Sequence, residues 1–148
     1  MKLSELDKRI INALVDDGRL SYRQIAKAVR SSPSTIMHHI QEMQKAGIIR
    51  GYTVSLDYEK LKYDVHIIVE MKIAKGKFEE VAKRVVHHPN VLTVYDHIGA
   101  FDATVVARFR NKQAMNIFLK TIQCYDFVER TETKLVLSTL KRENIKVS

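Results

Sequence analysis

The sequence has one cysteine, Cys124, two prolines, five glycines and no tryptophan among its 148 residues. A lone cysteine excludes an internal disulfide framework and any multi-cysteine zinc or iron–sulfur site. So few prolines and glycines exclude collagen-like and linker-dominated chains. No apolar run approaches the roughly 18 residues of a membrane-spanning helix, and the opening Met1-Lys2-Leu3-Ser4-Glu5-Leu6-Asp7 lacks a signal-peptide core. The expectation is a soluble, cytoplasmic protein with no membrane partner. Acidic residues are also scarce, 17 Asp+Glu against 25 Lys+Arg, for a formal net charge of +8. What remains is ordinary: 45% of the residues are apolar, enough to fill a core and too many for a disordered chain. The length allows one domain or two small ones.

A basic surplus favours polyanionic partners through counterion release. It is concentrated between residues 18 and 51, where Arg19, Arg23, Lys27, Arg30, Lys45 and Arg50 face only Glu42. Charge alone fits a solvated basic face as well as a nucleic-acid surface.

Hydrophobic periodicity changes character near residues 55–64. Before it, apolar residues recur at helical spacing; after it, alternation suits strands. Ser4 with Asp7 begins a helix whose stripe is Leu6, Ile10, Ile11, Leu14 and Val15, and Asp17-Gly18 ends it. Ser21 with Gln24 opens a short helix burying Ile25, Ala28 and Val29. Ser32 at a cap and Pro33 at the first helical position open a third, which buries Ile36, Ile40 and Met43 and stops at Gly47. A short helix, a tight turn and a longer capped helix predict a helix-turn-helix. Residues 48–56 are expected to form a small wing strand.

From residue 65 the pattern predicts the order βαββαβ, a split βαβ or ferredoxin-like domain with both helices on one sheet face. The strands are expected at 65–73, 91–98, 103–109 and 128–140. Phe78, Val81, Ala82, Val85 and Val86 line one helix, closed by Pro89, and Asn111 caps the other. On the second sheet face, Ile68, Val106, Val136 and Leu140 make a half-apolar surface, and the simplest cover is the same face of a second subunit. The fold class is therefore α+β, with a helix-turn-helix domain at 1–54, a linker at 55–64 and the ferredoxin-like domain at 65–148.

This arrangement resembles the Lrp/AsnC (feast/famine) family of transcription regulators. Leu6-Asp7-Lys8-Arg9-Ile10-Ile11 looks like the family's opening Leu-Asp-x-x-Asp-x-x-Ile-Leu stretch, with Asn12 near the place of the second acid. Gly18-Arg19-Leu20-Ser21-Tyr22-Arg23-Gln24-Ile25-Ala26 resembles its Arg-x-Ser run. Ser32-Pro33-Ser34-Thr35-Ile36 and Gly47-Ile48-Ile49-Arg50-Gly51-Tyr52 resemble its recognition-helix start and wing. Gly99-Ala100-Phe101-Asp102 matches the Gly-x-Tyr-Asp loop, and Arg130-Thr131-Glu132-Thr133 the Arg-Thr-x-Thr strand. The likeness spans nearly the whole chain and departs from it twice. His39 stands where the family usually has Arg, and Lys62 stands where it has Gly before Tyr63.

The resemblance implies sequence-specific double-stranded DNA binding, homodimers that assemble further into tetramers or octamers, and an amino-acid effector. On the third helix, the face opposite the buried stripe offers Ser34, Thr35, His38, His39 and Gln41, whose hydroxyl, imidazole and amide groups can bond base edges. Ser21, Tyr22, Arg23, Arg30, Lys45 and Arg50 surround it as phosphate contacts. The effector site is expected at Gly99, Ala100, Phe101 and Asp102 with Thr131 and Thr133: backbone N–H groups for a carboxylate, Asp102 for an ammonium, threonine hydroxyls to complete the cage. The plainer reading of Asp102 is a loop carboxylate satisfied by nearby backbone.

No cofactor and no catalytic residue are expected. Gly76-Lys77 lacks the upstream glycine of a P-loop, and no nucleophile elbow occurs. The adjacent pairs His38-His39 and His87-His88 diverge by about 100° on a helix and do not share a metal. Cys124 reads as a small buried hydrophobe. Within the same architecture the alternatives are a siroheme decarboxylase-like enzyme, with His66 or His97 acting on propionates, and an effector-independent DNA-architectural protein.

Overall fold

The computed structural model describes residues 2–148. They divide into two units with separate cores. The first contains residues up to 55 together with 141–148, and the second contains residues 56–140.

In the first unit, α1 (Glu5–Asp16), α2 (Tyr22–Val29) and α3 (Pro33–Lys45) begin at the caps their sequences signal. Ser4 accepts from the Asp7 amide while the Asp7 carboxylate accepts from the Ser4 amide, and Ser21 and Gln24 repeat this reciprocal cap. Such a cap satisfies N–H groups the helix itself cannot. Ser32 accepts from the Thr35 amide, and Pro33 follows it at the helix start. Ile10, Ile25, Val29, Ile36, Ile40 and Met43 form the core. Ala28, expected inside, is exposed, and Ala26 takes that place. α2 ends at Arg30 in the left-handed region, φ 53° and ψ 58°.

The second unit is a four-stranded antiparallel sheet in the order β2-β3-β1-β4, built from β1 (Val65–Ile73), β2 (Val91–Asp96), β3 (Ala103–Phe109) and β4 (Val128–Leu135). With α4 (Phe78–Arg84) and α5 (Lys112–Gln123) inserted after β1 and β3, the order is the βαββαβ expected. Residues on β1 and β3 are buried alternately, and Val65, Ile67, Val69, Met71, Val105 and Phe109 meet Val81, Phe118 and Ile122 from the helices. Both helices therefore cover one face.

Four local expectations are corrected. Residues 48–56 form no strand, because no ladder partner meets them. Instead the linker is held to its own sheet unit by Arg108 over the Tyr58 ring and Arg110 over the Tyr63 ring, at 5.0 and 4.7 Å. The last strand ends at Leu135 rather than 140; Val136 adds one further bond to the His66 carbonyl, and Leu140 is 95% exposed. α4 stops at Arg84, leaving Val86 exposed. Cys124 is exposed at the end of α5, not buried.

The uncovered sheet face is more polar than expected. Ile68 and Val106 are cross-strand neighbours, and beside them Lys134 bonds Glu70 and pairs with Glu132. Residues 141–148, expected to belong to the sheet domain, instead group with the first unit.

Candidate nucleic-acid interface and effector loop

α3 is amphipathic in the way the reading-helix expectation requires. Ile36, Ile40 and Met43 are fully buried, while Ser34, His38, Gln41 and Lys45 are exposed and Thr35 and His39 are half-buried. The Ser34 and Thr35 hydroxyls both lie within 3 Å of Ser32 Oγ, at 2.9 and 2.8 Å, so the cap and the first turn form one hydroxyl cluster. Its backbone N–H groups and helix dipole make this end attractive to anions. Ser21, Tyr22 and Arg23 are exposed at the start of α2, and Arg30 and Arg50 are exposed in the connecting segments. Lys45 is engaged by Glu42 at 2.8 Å, and that bond holds the Glu42 carboxyl below its ordinary range. Glu42 thus partly offsets the cation beside it.

His39 is anchored. Its Nδ1 lies 2.7 Å from Asp7 Oδ1, and Asp7 is only 2% exposed. Burial alone would raise the Asp7 carboxyl, but hydrogen bonds from His39 and Ser4 outweigh it and hold the group below its ordinary value. One carboxylate therefore caps α1 and fixes the middle of α3. The sequence reading did not pick out this partnership; the only signal was that Asp7 and His39 are each unusual on a helix face. Tyr52 was also passed over. With Leu14, Gly18, Leu20, Ser21, Tyr22, Ile25 and Ile40 it lines a cavity of about 350 Å³, and burial together with Tyr22 raises its hydroxyl.

At the other candidate site, the loop between β2 and β3 turns against β1. Asp102 Oδ2 accepts from the Ile73 amide at 2.8 Å, and Oδ1 accepts from Lys72 Nζ at 2.9 Å. The Ile73 amide first, then Lys72, holds its carboxyl below the ordinary range. The carboxylate expected to meet an effector ammonium is thus already engaged by backbone and Lys72. Phe101 is buried beneath the Arg130 guanidinium, 4.7 Å from its ring centre. Gly99 and Ala100 are exposed, and Gly99 has no left-handed φ; a side chain there would meet nothing closer than 3.9 Å. Thr131 pairs with Met71 in the ladder and Thr133 with Val69, so both threonines lie across β1 from the strand that follows the loop.

Comparison with known proteins decides what this pairing of units is. Residues 3–50 match the model for winged helix-turn-helix DNA-binding domains, and residues 66–145 match that for the Lrp/AsnC ligand binding domain. The chain belongs to the Lrp/AsnC family. It is 35% identical over 139 residues to the HTH-type transcriptional regulator FL11 of Pyrococcus horikoshii, covering 94% of this chain and 92% of that one. It is 27% identical over 144 residues to LrpC of Bacillus subtilis, covering 97% and 98%. Among solved structures it is similar to Escherichia coli AsnC, with TM-score 0.90 at 26% identity over 99% of this chain and 100% of that one. It is equally similar to a Neisseria meningitidis transcriptional regulator in complex with L-Met, with TM-score 0.91 at 25% identity over 99% and 97%. This Lrp/AsnC member is thus a DNA-binding transcription regulator. No helix among the described residues is long and apolar enough to cross a membrane, and no cluster of His, Cys, Asp and Glu among them could hold a metal ion.

Proposed function

We propose that this regulator reads specific duplex sequences in the cytoplasm with α3, and that a small amino acid modulates its assembly or its DNA binding. The observation that carries the reading is the two-sided character of α3: an apolar stripe fully inside, and hydroxyl, imidazole and amide groups outside with Arg23, Arg30 and Arg50 around them. Residues 1–54 would serve DNA binding, 55–64 the link, and 65–148 dimerisation and effector binding. Ile68 and Val106 at the centre of the uncovered sheet face support a two-fold dimer there, with tetramers or octamers built from dimers. A dimer offers two reading helices, so the operator should be pseudo-palindromic with half-sites about one helical turn apart or a multiple of it.

The Neisseria complex with L-Met supports an amino acid as the class of effector. Coupling requires that the effector prefer one assembly or arrangement over another. Because Asp102 already braces its loop, an arriving ammonium would share or displace Lys72, which gives the ligand a way to alter the loop.

Selection of duplexes from a random pool, with and without the common amino acids, tests both parts. On a selected duplex, Arg23→Ala should weaken all sequences alike and lower the salt slope, whereas Gln41→Ala should change sequence preference. Equal effects of both variants on every sequence would refute this division of roles.

A further inference from the structure

We infer that His39 is a proton-dependent phosphate contact, so that duplex binding by this chain takes up protons and strengthens as pH falls. The inference rests on the reading that α3 meets DNA. Its basis is the geometry of one ring. Nδ1 lies 2.7 Å from Oδ1 of the buried Asp7, and the imidazole keeps about a quarter of its surface, 26%, exposed. A carboxylate is an acceptor only, so Nδ1 carries its hydrogen whether the ring is neutral or charged. The tautomer is thereby fixed, and the only ring position left to titrate is Nε2, on the opposite edge from Asp7.

That edge changes its chemistry on protonation. Neutral, Nε2 presents a lone pair, which a phosphate oxygen repels. Charged, it presents an N–H that makes a charge-assisted bond to phosphate. Asp7 is in turn fixed by both the Ser4 amide and the Ser4 hydroxyl, at 2.8 and 2.7 Å, so the ring is held by a braced group and not a mobile one.

The surrounding charges leave this role to His39. On α1, Arg9 donates to the Val29 carbonyl at the end of α2, and Lys8 pairs with Glu5. On α3, His38 stands edge-on to His39 with ring centres 6.1 Å apart, and Glu42, one turn further along, is engaged by Lys45. His38 is exposed beside His39 on the same helix, so its contribution must be separated from that of His39.

The test measures affinity of the full chain for a labelled mixed-sequence duplex between pH 6 and 8 at several salt concentrations, for the unaltered chain, His39→Gln and His38→Gln. A mixed sequence suffices because phosphate contacts are sequence-independent. Affinity of the unaltered chain should rise about three- to tenfold from pH 8 to pH 6, since a one-unit change in a group's proton affinity is a tenfold effect. Its salt slope should steepen by about 0.9 for each His39 engaged. His38→Gln, which alters a base-edge group of the same helix, should change affinity by the same factor at every pH and so keep its dependence on pH, whereas His39→Gln should lose both that dependence and the steeper salt slope. The His39 ring in the unaltered chain, followed by NMR, should titrate at higher pH with duplex than without, which stands even if His39→Gln folds poorly. A merely structural Asp7–His39 pair would alter melting but not the salt slope. Retention of the pH dependence in His39→Gln, or identical ring titration free and bound, overturns the inference while leaving α3 as the reading helix. Absence of duplex binding at every pH and salt concentration overturns both.

Discussion

Asn12 and Val147 pair in both directions: the Val147 amide donates to Asn12 Oδ1 at 2.7 Å, and Asn12 Nδ2 donates to the Val147 carbonyl at 2.9 Å. Only a carboxamide can make both bonds, since aspartate has no donor. Beside them Lys146 pairs with Asp16 at 2.8 Å. The last residues of the chain are thereby fastened to α1 although most of them are exposed. Each partly buried hydrogen bond contributes about 0.5–1.5 kcal/mol. Asn12→Ala should lower the stability of the first unit by about 1–2 kcal/mol in urea unfolding. It should also speed hydrogen exchange at the Val147 amide, and unchanged exchange there would refute the fastening.

Arg30 occupies the left-handed region that costs a residue with a β-carbon about 1–2 kcal/mol. Glycine would relieve this at some cost in unfolded-state entropy. Arg30→Gly should therefore raise the melting temperature of the first unit, by about 0.5–1 kcal/mol in stability. In the same variant duplex affinity should fall and the salt slope should shrink by about 0.9 if Arg30 serves as the phosphate contact proposed for it. Stability and binding moving in the same direction would contradict the assignment.

His88 packs against the touching Phe118 and Phe109 rings, with ring centres 4.8 and 6.3 Å away, and burial lowers its proton affinity. Its Nδ1 accepts from the Asn90 amide, a bond open only to the neutral ring. A group whose folded pKa is depressed contributes stability that is complete above its unfolded value, about 6.5 for histidine, and is lost as pH falls towards the folded value. The sheet unit should thus lose stability as pH falls below about 6.5, and His88→Gln should flatten that decline. Thermal melts across this range provide the check.

Much of this molecule is legible from local signals. Ser4, Ser21, Ser32 and Asn111 start helices where the sequence places them, because a cap involves residues three apart and needs nothing distant. Alternation on β1 and β3 likewise reads directly, since the period of a strand is its own. What could not be read depends on partners far along the chain. Residues 48–56 have a strand's pattern but no neighbour, and Asp7 meets His39 across 32 positions. Asp102 shows the same in the loop before β3: a backbone partner could be expected, but that it is the Ile73 amide depends on where β1 ends. The return of residues 141–148 to α1 rests on an amide pair that has no periodic signature.

Two cores built without shared residues make two cooperative transitions possible in one chain. A single melting point is then an average over unlike events. A bulk spectroscopic signal dominated by the strands can look native while the helical module has already lost its order. Damage to Ile36 or Met43 could pass unnoticed in such a trace and appear only as lost operator occupancy, so probes of this regulator should carry a reporter in each half.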